Sequence, residues 1–193
     1  MEDSDLAVVL RVRAGDGDGF RLLVERHSRS VFRLAYRMTG NEQDAEDIVQ
    51  ETFLRAYRQL HRYESRASFG TWLYRIAANY ALDLIRSRKR HAVAQSSSSD
   101  SGVEPRDPLL SVPSPEPSPE RLTLNSQTQR QINEALDTLS AQERTAFVLR
   151  HFEGQSIDEI SFALGIGGNA AKQSIFRAVQ KLRKALEPLV NAT

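Results

Sequence analysis

Five carboxylates crowd into ten residues of this chain: Glu42, Asp44, Glu46, Asp47 and Glu51, with Gln43 and Gln50 among them and no cation before Arg55. At helical spacing such a set could chelate a metal or grip a basic protein. Chelation lacks its usual partner, because His27, His61, His91 and His151 are scattered and no His-Glu-x-x-His spacing occurs. Asp16-Gly17-Asp18-Gly19 hints at a calcium loop, but the twelfth position is His27 instead of the bidentate Glu. The chain has no cysteine, which excludes thiolate metal sites and cysteine nucleophiles. Gly165, Gly167 and Gly168 lie between helices and not after a strand, so they make no dinucleotide fingerprint. No cofactor, no metal and no catalysis are expected. Acidic first turns suit the helix macrodipole. They also repel one another and DNA, so a cationic protein is the partner this face fits.

Elsewhere the chemistry is of the opposite sign. Thr71, Arg75 and Asn79 recur at i, i+4 and i+8, which places them on one face of a helix, and Arg86 continues the line. A polar, partly cationic row beside aromatic rings can hold a single strand by phosphate contact and base stacking. The preceding stretch from His61 to Ser68 adds His61, Arg62, Tyr63 and Arg66, ingredients for capturing an unstacked base. Further on, no acidic residue falls between Glu159 and Glu187, while Lys172, Arg177, Lys181, Arg183 and Lys184 are all basic. Two capped segments joined by Gly165–Gly168 have the spacing of a helix-turn-helix. Ala171, Ile175, Ala178, Val179, Leu182 and Leu186 make the apolar stripe of its second helix. The other side then presents Asn169, Lys172, Gln173, Phe176, Arg177, Gln180 and Lys181. Lys and Arg suit phosphates and guanine edges, Gln suits adenine, and Phe can meet a thymine methyl.

The elements that must position these faces are helices. The expected fold class is all-α: two small helical domains, residues 1–93 and 126–193, joined by a flexible Ser/Pro-rich linker at 94–125. Six of the seven prolines fall between Pro105 and Pro119, after the serine run Ser96–Ser99, and such a stretch offers little to bury. In the first lobe helices are expected at Asp5–Ala14, Phe20–Thr39, Glu42–Leu60 and Phe69–Arg88, with Gly15, Gly17 and Gly19 breaking the chain. In the second, a helix ends at Leu139, Ser140 and Glu143 form a capping box, Ser156 and Glu159 repeat it, and Asn169 caps a last helix to about Leu186. The 193 residues are 40% hydrophobic and 26% charged, with a net charge of +1. No run approaches the roughly 18–20 apolar residues of a membrane crossing, so a cytoplasmic protein is expected.

With these residues in view, the chain resembles a bacterial extracytoplasmic-function (ECF) sigma factor, a promoter-specificity subunit of RNA polymerase. Asp44 to Tyr57 is similar to the family's polymerase-binding helix, Phe69 to Asn79 to its promoter-melting helix, and Leu139 to Arg144 opens the domain whose helix-turn-helix reads the −35 element. The resemblance implies that Asp44, Asp47, Gln50 and Glu51 dock on the clamp helices of the largest subunit of core RNA polymerase. It puts Arg66, Thr71, Trp72, Arg75 and Asn79 at the melted −10 region of promoter DNA, with the His61–Ser68 loop taking a flipped base. It puts Asn169, Lys172, Gln173, Phe176, Arg177 and Lys181 at the −35 groove. It further implies a monomer when free and an anti-sigma partner that hides the DNA-reading faces. Three departures stand out. Lys172-Gln173-Ser174 replaces the usual Lys-Ser-Arg, Ser161 stands where alanine is common, and the linker is longer and richer in proline. The rival reading is a stand-alone helix-turn-helix regulator. It explains the second lobe equally well and predicts a dimer on two half-sites, but leaves the acidic helix unexplained.

Overall fold

The computed structural model describes residues 4–96 and 134–190. Four helices build the first lobe: α1 (Asp5–Arg13), α2 (Gly17–Thr39), α3 (Glu42–Gln59) and α4 (Phe69–Ser96), with a 3-10 turn at Leu60–Arg62. Residues 134–137 are helical and lead into the second lobe: α5 (Ala141–His151), α6 (Ile157–Leu164) and α7 (Gly168–Val190). Most of the linker expected at 94–125 lies outside the described residues; residues 94–96 continue α4.

Local chemistry sets most helix ends. Ser4 accepts from the Ala7 N–H at the start of α1, and Asn41 accepts from Asp44 at the start of α3. Such caps satisfy amides that have no partner inside the helix. Gly40 stops α2 with φ +67°, a conformation in which a Cβ is strained. Gly15, at φ +102°, breaks the chain between α1 and α2 as expected, but Gly17 and Gly19 do not. Asp16 accepts from the Asp18 and Gly19 N–H groups and starts α2 at Gly17. The Arg11 guanidinium, 2.6 Å away, holds the Asp16 carboxyl below its usual range. Gly19 is buried, and a Cβ there would come within 2.8 Å of Val12 Cγ2. The glycine therefore lets α2 approach α1.

Both capping boxes of the second lobe form as expected, Ser140 with Glu143 and Ser156 with Glu159. Gly165 closes α6 at φ +64°. The last helix differs by one position, because α7 begins at Gly168 and Asn169 lies inside its first turn instead of capping it. Glu143 also receives Lys181 Nζ at 2.7 Å. Burial opposes its charge, but Lys181 and the Ser140 N–H prevail, so its pKa lies below the usual carboxylate range. A depressed carboxylate contributes stability above its unfolded-state value, near 4.3, and loses it as pH falls through the lower folded value. We expect the second lobe to lose stability in that acid window, and Glu143→Gln to flatten the dependence in thermal melts across pH 2–6.

The two lobes do not stand apart. One apolar cluster runs from Val8, Leu23, Leu34, Ile48 and Leu73 into Ala146, Leu149, Ile160 and Ala171. A smaller cluster of Ala135, Leu139, Ala178 and Leu182 fixes α7 beneath the segment that precedes α5. Burial on this scale, roughly 25 cal/mol per Å² of apolar surface, makes the closed arrangement of the lobes a packed state and not a loose encounter.

Candidate nucleic-acid and polymerase interfaces

On α3, Asp47 and Gln50 are exposed and Glu51 is half-buried, its carboxylate 2.6 Å from Arg55 Nε. Arg55 in turn lies 4.7 Å from the Tyr80 ring centroid. Asp44 departs from its expected place. It is 4% exposed and holds the Arg88 guanidinium of α4 through both oxygens. The reason is register: Asp44, Ile48 and Thr52 follow one another at i+4 along the buried stripe of α3. Asp44 thus ties α3 to α4 and offers no carboxylate to a partner. Sequence reasoning passed over Leu54 and Tyr57, which are 46% and 57% exposed on the same helix. They fall off the stripe of Ile48, Phe53 and Ala56, and that displacement was a readable signal. The exposed face of α3 is therefore acidic with an apolar end, as protein interfaces commonly are.

Around the start of α4 the aromatic rings form a platform. Tyr63, Phe69 and Trp72 meet edge-on or tilted with centroids 5.3–5.6 Å apart, and Tyr63 and Phe69 are buried beneath Trp72 in the core cluster. Tyr63 donates its hydroxyl to the Ala67 carbonyl at 2.8 Å, and Arg13 donates to the carbonyls of Leu60 and Tyr63. The loop expected to take a base is thus pinned at its root. Within it Arg66 is exposed and pairs with Glu64 at 2.7 Å, and Asn79 is exposed on α4. Trp72 is half-buried in the platform.

Thr71 is placed differently from expectation, and Arg75, though exposed, has a partner. Thr71 is fully buried, its Oγ1 2.8 Å from Ser68 Oγ, 2.9 Å from Gln155 Oε1 and 3.2 Å from Glu159 Oε1. Arg75 lays its guanidinium 4.7 Å from the Phe162 ring centroid. Both partners belong to the second lobe, so α6 and the turn before it cover the amino-terminal half of the row. Beside them the Glu153 side chain is 3% exposed and takes three donors: Arg33 and Arg37 of α2, each at 3.2 Å, and the Tyr74 hydroxyl at 2.9 Å. Burial above all pushes the Tyr74 pKa up to about 12, and the Glu153 carboxylate adds to it. Arg37 also lies 4.1 Å over the Phe152 ring, and Arg144 Nε donates to the Arg37 carbonyl at 2.6 Å. These interlobe partners had no signature in the sequence.

The recognition face of α7 is open. Asn169, Lys172, Gln173, Phe176, Arg177 and Lys181 are all exposed, Phe176 to 64%. Lys181 is the member with a partner in the fold, Glu143. Ser174, by contrast, is buried and accepts from Gln142 Nε2 at 3.1 Å. The position at which a second cation was expected points into the lobe and takes no phosphate. Ser161 donates to the Ile157 carbonyl at 2.7 Å, which satisfies its hydroxyl inside α6.

The sequence matches the family descriptions "Sigma-70 region 2" over residues 23–91 and "Sigma-70, region 4" over residues 129–182. It is 33% identical over 200 residues to RNA polymerase sigma-H factor of Pseudomonas aeruginosa, covering 98% of this chain and 97% of that one. The chain belongs to the ECF sigma factors. ECF RNA polymerase sigma factor SigW of Bacillus subtilis is 32% identical over 94% of this chain and 96% of its own. SigE of Mycolicibacterium smegmatis is 38% identical over 164 residues, and the chain spans 60% of that longer relative. Among solved structures, CnrH in complex with the cytosolic domain of CnrY aligns with a TM-score of 0.67 at 25% identity, over 96% of this chain and 99% of that one. The fold is shared by the sigma factor RpoE of Bartonella quintana, solved with the anti-sigma factor NepR, with a TM-score of 0.65 at 21% identity, over 87% of this chain and 96% of that one.

As an ECF sigma factor the chain is a transcription initiation factor, and a stand-alone regulator is not favoured. The region 2 match holds α3 and the polar row of α4; the region 4 match holds α5, α6 and the recognition face of α7. Among the described residues no helix is long and apolar enough to cross a membrane.

Proposed function

We propose that this sigma factor carries core RNA polymerase to a subset of promoters through three separate surfaces and performs no chemistry of its own. The observation that carries this reading is the segregation of charge: an exposed acidic face on α3, and an exposed cationic face on α7 with no carboxylate from Ala170 to Leu186. Asp47, Gln50 and Glu51 grip the clamp helices of the largest polymerase subunit, with Leu54 and Tyr57 extending the contact. Lys172, Gln173 and Phe176 read the −35 duplex in the major groove, Arg177 holds a backbone phosphate beside them, and Asn169 and Lys181 flank it. Arg66, Trp72, Arg75 and Asn79, joined by Thr71 once the lobes part, hold the opened −10 strand. Two modest DNA contacts on one chain reinforce each other by effective concentration. The free protein is a cytoplasmic monomer, and an anti-sigma factor holds it inactive.

A phosphate contact carries no sequence information but does carry salt dependence. Arg177→Ala is therefore expected to weaken −35 duplex binding on all sequences and to reduce the slope of log K against log salt by about 0.9. Gln173→Ala is expected to relax sequence preference with the slope unchanged. Fluorescence anisotropy at several salt concentrations reads both.

The reading is tested by footprinting the assembled holoenzyme and sedimenting the free chain. One asymmetric, bipartite footprint and a monomer are expected. A symmetric footprint by the chain without polymerase, together with a dimer, would return the stand-alone regulator.

A further inference from the structure

Arg33 and Arg37, one turn apart on α2, and Tyr74 on α4 converge on a single anion that the other lobe supplies. Two guanidiniums and a phenol act here as donors, and all three reach the two oxygens of Glu153. One carboxylate answers two cations, and among the described residues neither arginine forms an ion pair with a second acid. The site therefore keeps an excess positive charge even when closed. Paired N–H donors aimed at two oxygens of one group are also the arrangement that recognises phosphate.

Its location gives that chemistry a use. Tyr74 sits between Thr71 and Arg75 in the chain, beside the polar row that faces the −10 strand. The contacts that cover this row all come from the second lobe: Gln155 and Glu159 on Thr71, Phe162 on Arg75, and Glu153 on the three donors. They must leave together when the lobes separate. Arg33 and Arg75 are already exposed in the closed form and Arg37 is half-buried; separation frees their guanidiniums from Glu153 and Phe162 along one edge of the first lobe.

We infer that Arg33, Arg37 and Tyr74 form a binding site for a backbone phosphate of the promoter strand, and that Glu153 occupies it as a stand-in anion while the lobes are closed. This rests on the reading of α4 as the −10 element. Strand and second lobe compete for the same donors, so each excludes the other, and a ligand of the open form shifts the population toward it. Closure leaves the recognition face of α7 free and blocks the −10 side alone.

The test uses the full chain, alone and in holoenzyme, with a fluorescent single-stranded oligothymidylate of roughly 15 nucleotides as probe, since phosphate contacts are indifferent to sequence. For the free chain, Glu153→Gln is expected to bind the probe about tenfold more tightly than wild type, because the competing charge is gone. Arg33→Gln with Arg37→Gln also breaks the interlobe contact but removes the site. That double variant is expected to show no gain, and a slope of log K against log salt lower by about 0.7. Arg33→Lys with Arg37→Lys should restore the slope, which a misfolded lobe could not do. In holoenzyme, where the proposed function requires the lobes to be apart, Glu153→Gln should match wild type, and the double Gln variant should still lose slope. Equal gains by Glu153→Gln and the double Gln variant would overturn the site, as would no gain by Glu153→Gln. A wild-type holoenzyme that opens no promoter would instead sink the −10 reading beneath it. Normal opening with an unchanged slope in the double Gln variant would sink the phosphate site alone.

Discussion

Replacing Asp47 and Glu51 together by Arg is expected to abolish association with core RNA polymerase. Asp47 is exposed and Glu51 half-buried beside Arg55 on the acidic face of α3, the face proposed to meet the polymerase. Coupling energies of close charge pairs across interfaces run from about 1.5 to 7 kcal/mol. Converting two such attractions to repulsions therefore weakens binding by on the order of 10³-fold or more. The fold should survive the change, because among the described residues it breaks the Glu51–Arg55 pair, worth only a few tenths of a kcal/mol on a helix surface, and reverses the attraction of Asp47 for Arg88, which keeps its direct contact with Asp44. Asp44 supplies the contrast. Its carboxylate is buried against Arg88, so Asp44→Asn should lower the melting temperature of the first lobe and leave polymerase affinity nearly unchanged in whatever protein folds. Gel filtration with purified core enzyme reads the first effect, and calorimetry the second. Normal co-elution of the double reversal would remove α3 from the interface.

Arg75→Ala combined with Asn79→Ala is expected to cripple promoter opening while polymerase binding stays intact. Both side chains are exposed on one face of α4, on a different helix from the acidic row of α3. Each contact to the opened strand is worth about 1–2 kcal/mol, so the pair should slow open-complex formation on the order of 10²-fold. The Arg75 change also acts in the opposite direction before assembly. Arg75→Ala gives up the stacking on Phe162, worth about 0.5–1 kcal/mol, which loosens closure of the lobes. The defect must therefore arise after the chain has opened. Permanganate reactivity of unpaired thymines, followed over time in holoenzyme, separates the steps. Loss of polymerase binding in this variant would contradict the division of surfaces.

Local rules made much of this legible from residues alone. Ser140 with Glu143 and Ser156 with Glu159 obey a three-residue spacing that any solvated helix start rewards, and both boxes form. The apolar stripe of α7 and its exposed cationic side follow from helical periodicity. Failures came where one local rule overrode another or where distance mattered. Gly17 and Gly19 read as breakers by propensity, yet the Asp16 cap and the close approach to Val12 place them in a helix. Asp44 read as surface because it is charged, although its i+4 relation to Ile48 marked it as buried. Ser174 read as a departure from the usual arginine, although its i+3 relation to Ala171 and i+4 relation to Ala178 marked it as buried. Glu153 lies 79 residues from Tyr74 and 120 from Arg33. No periodicity spans such distances, so closure of the lobes and the site beneath Glu153 became visible only in the folded chain.

On the proposed function, separate acidic and cationic surfaces on one chain recruit polymerase to promoters and open them. Run-off transcription with purified core enzyme on a library of genomic fragments tests it most directly. Discrete transcripts should appear from a small set of templates only when the chain is added, and those templates should share two short elements upstream of the start. A chain that joins core enzyme yet yields no start beyond the background of core alone would contradict the account.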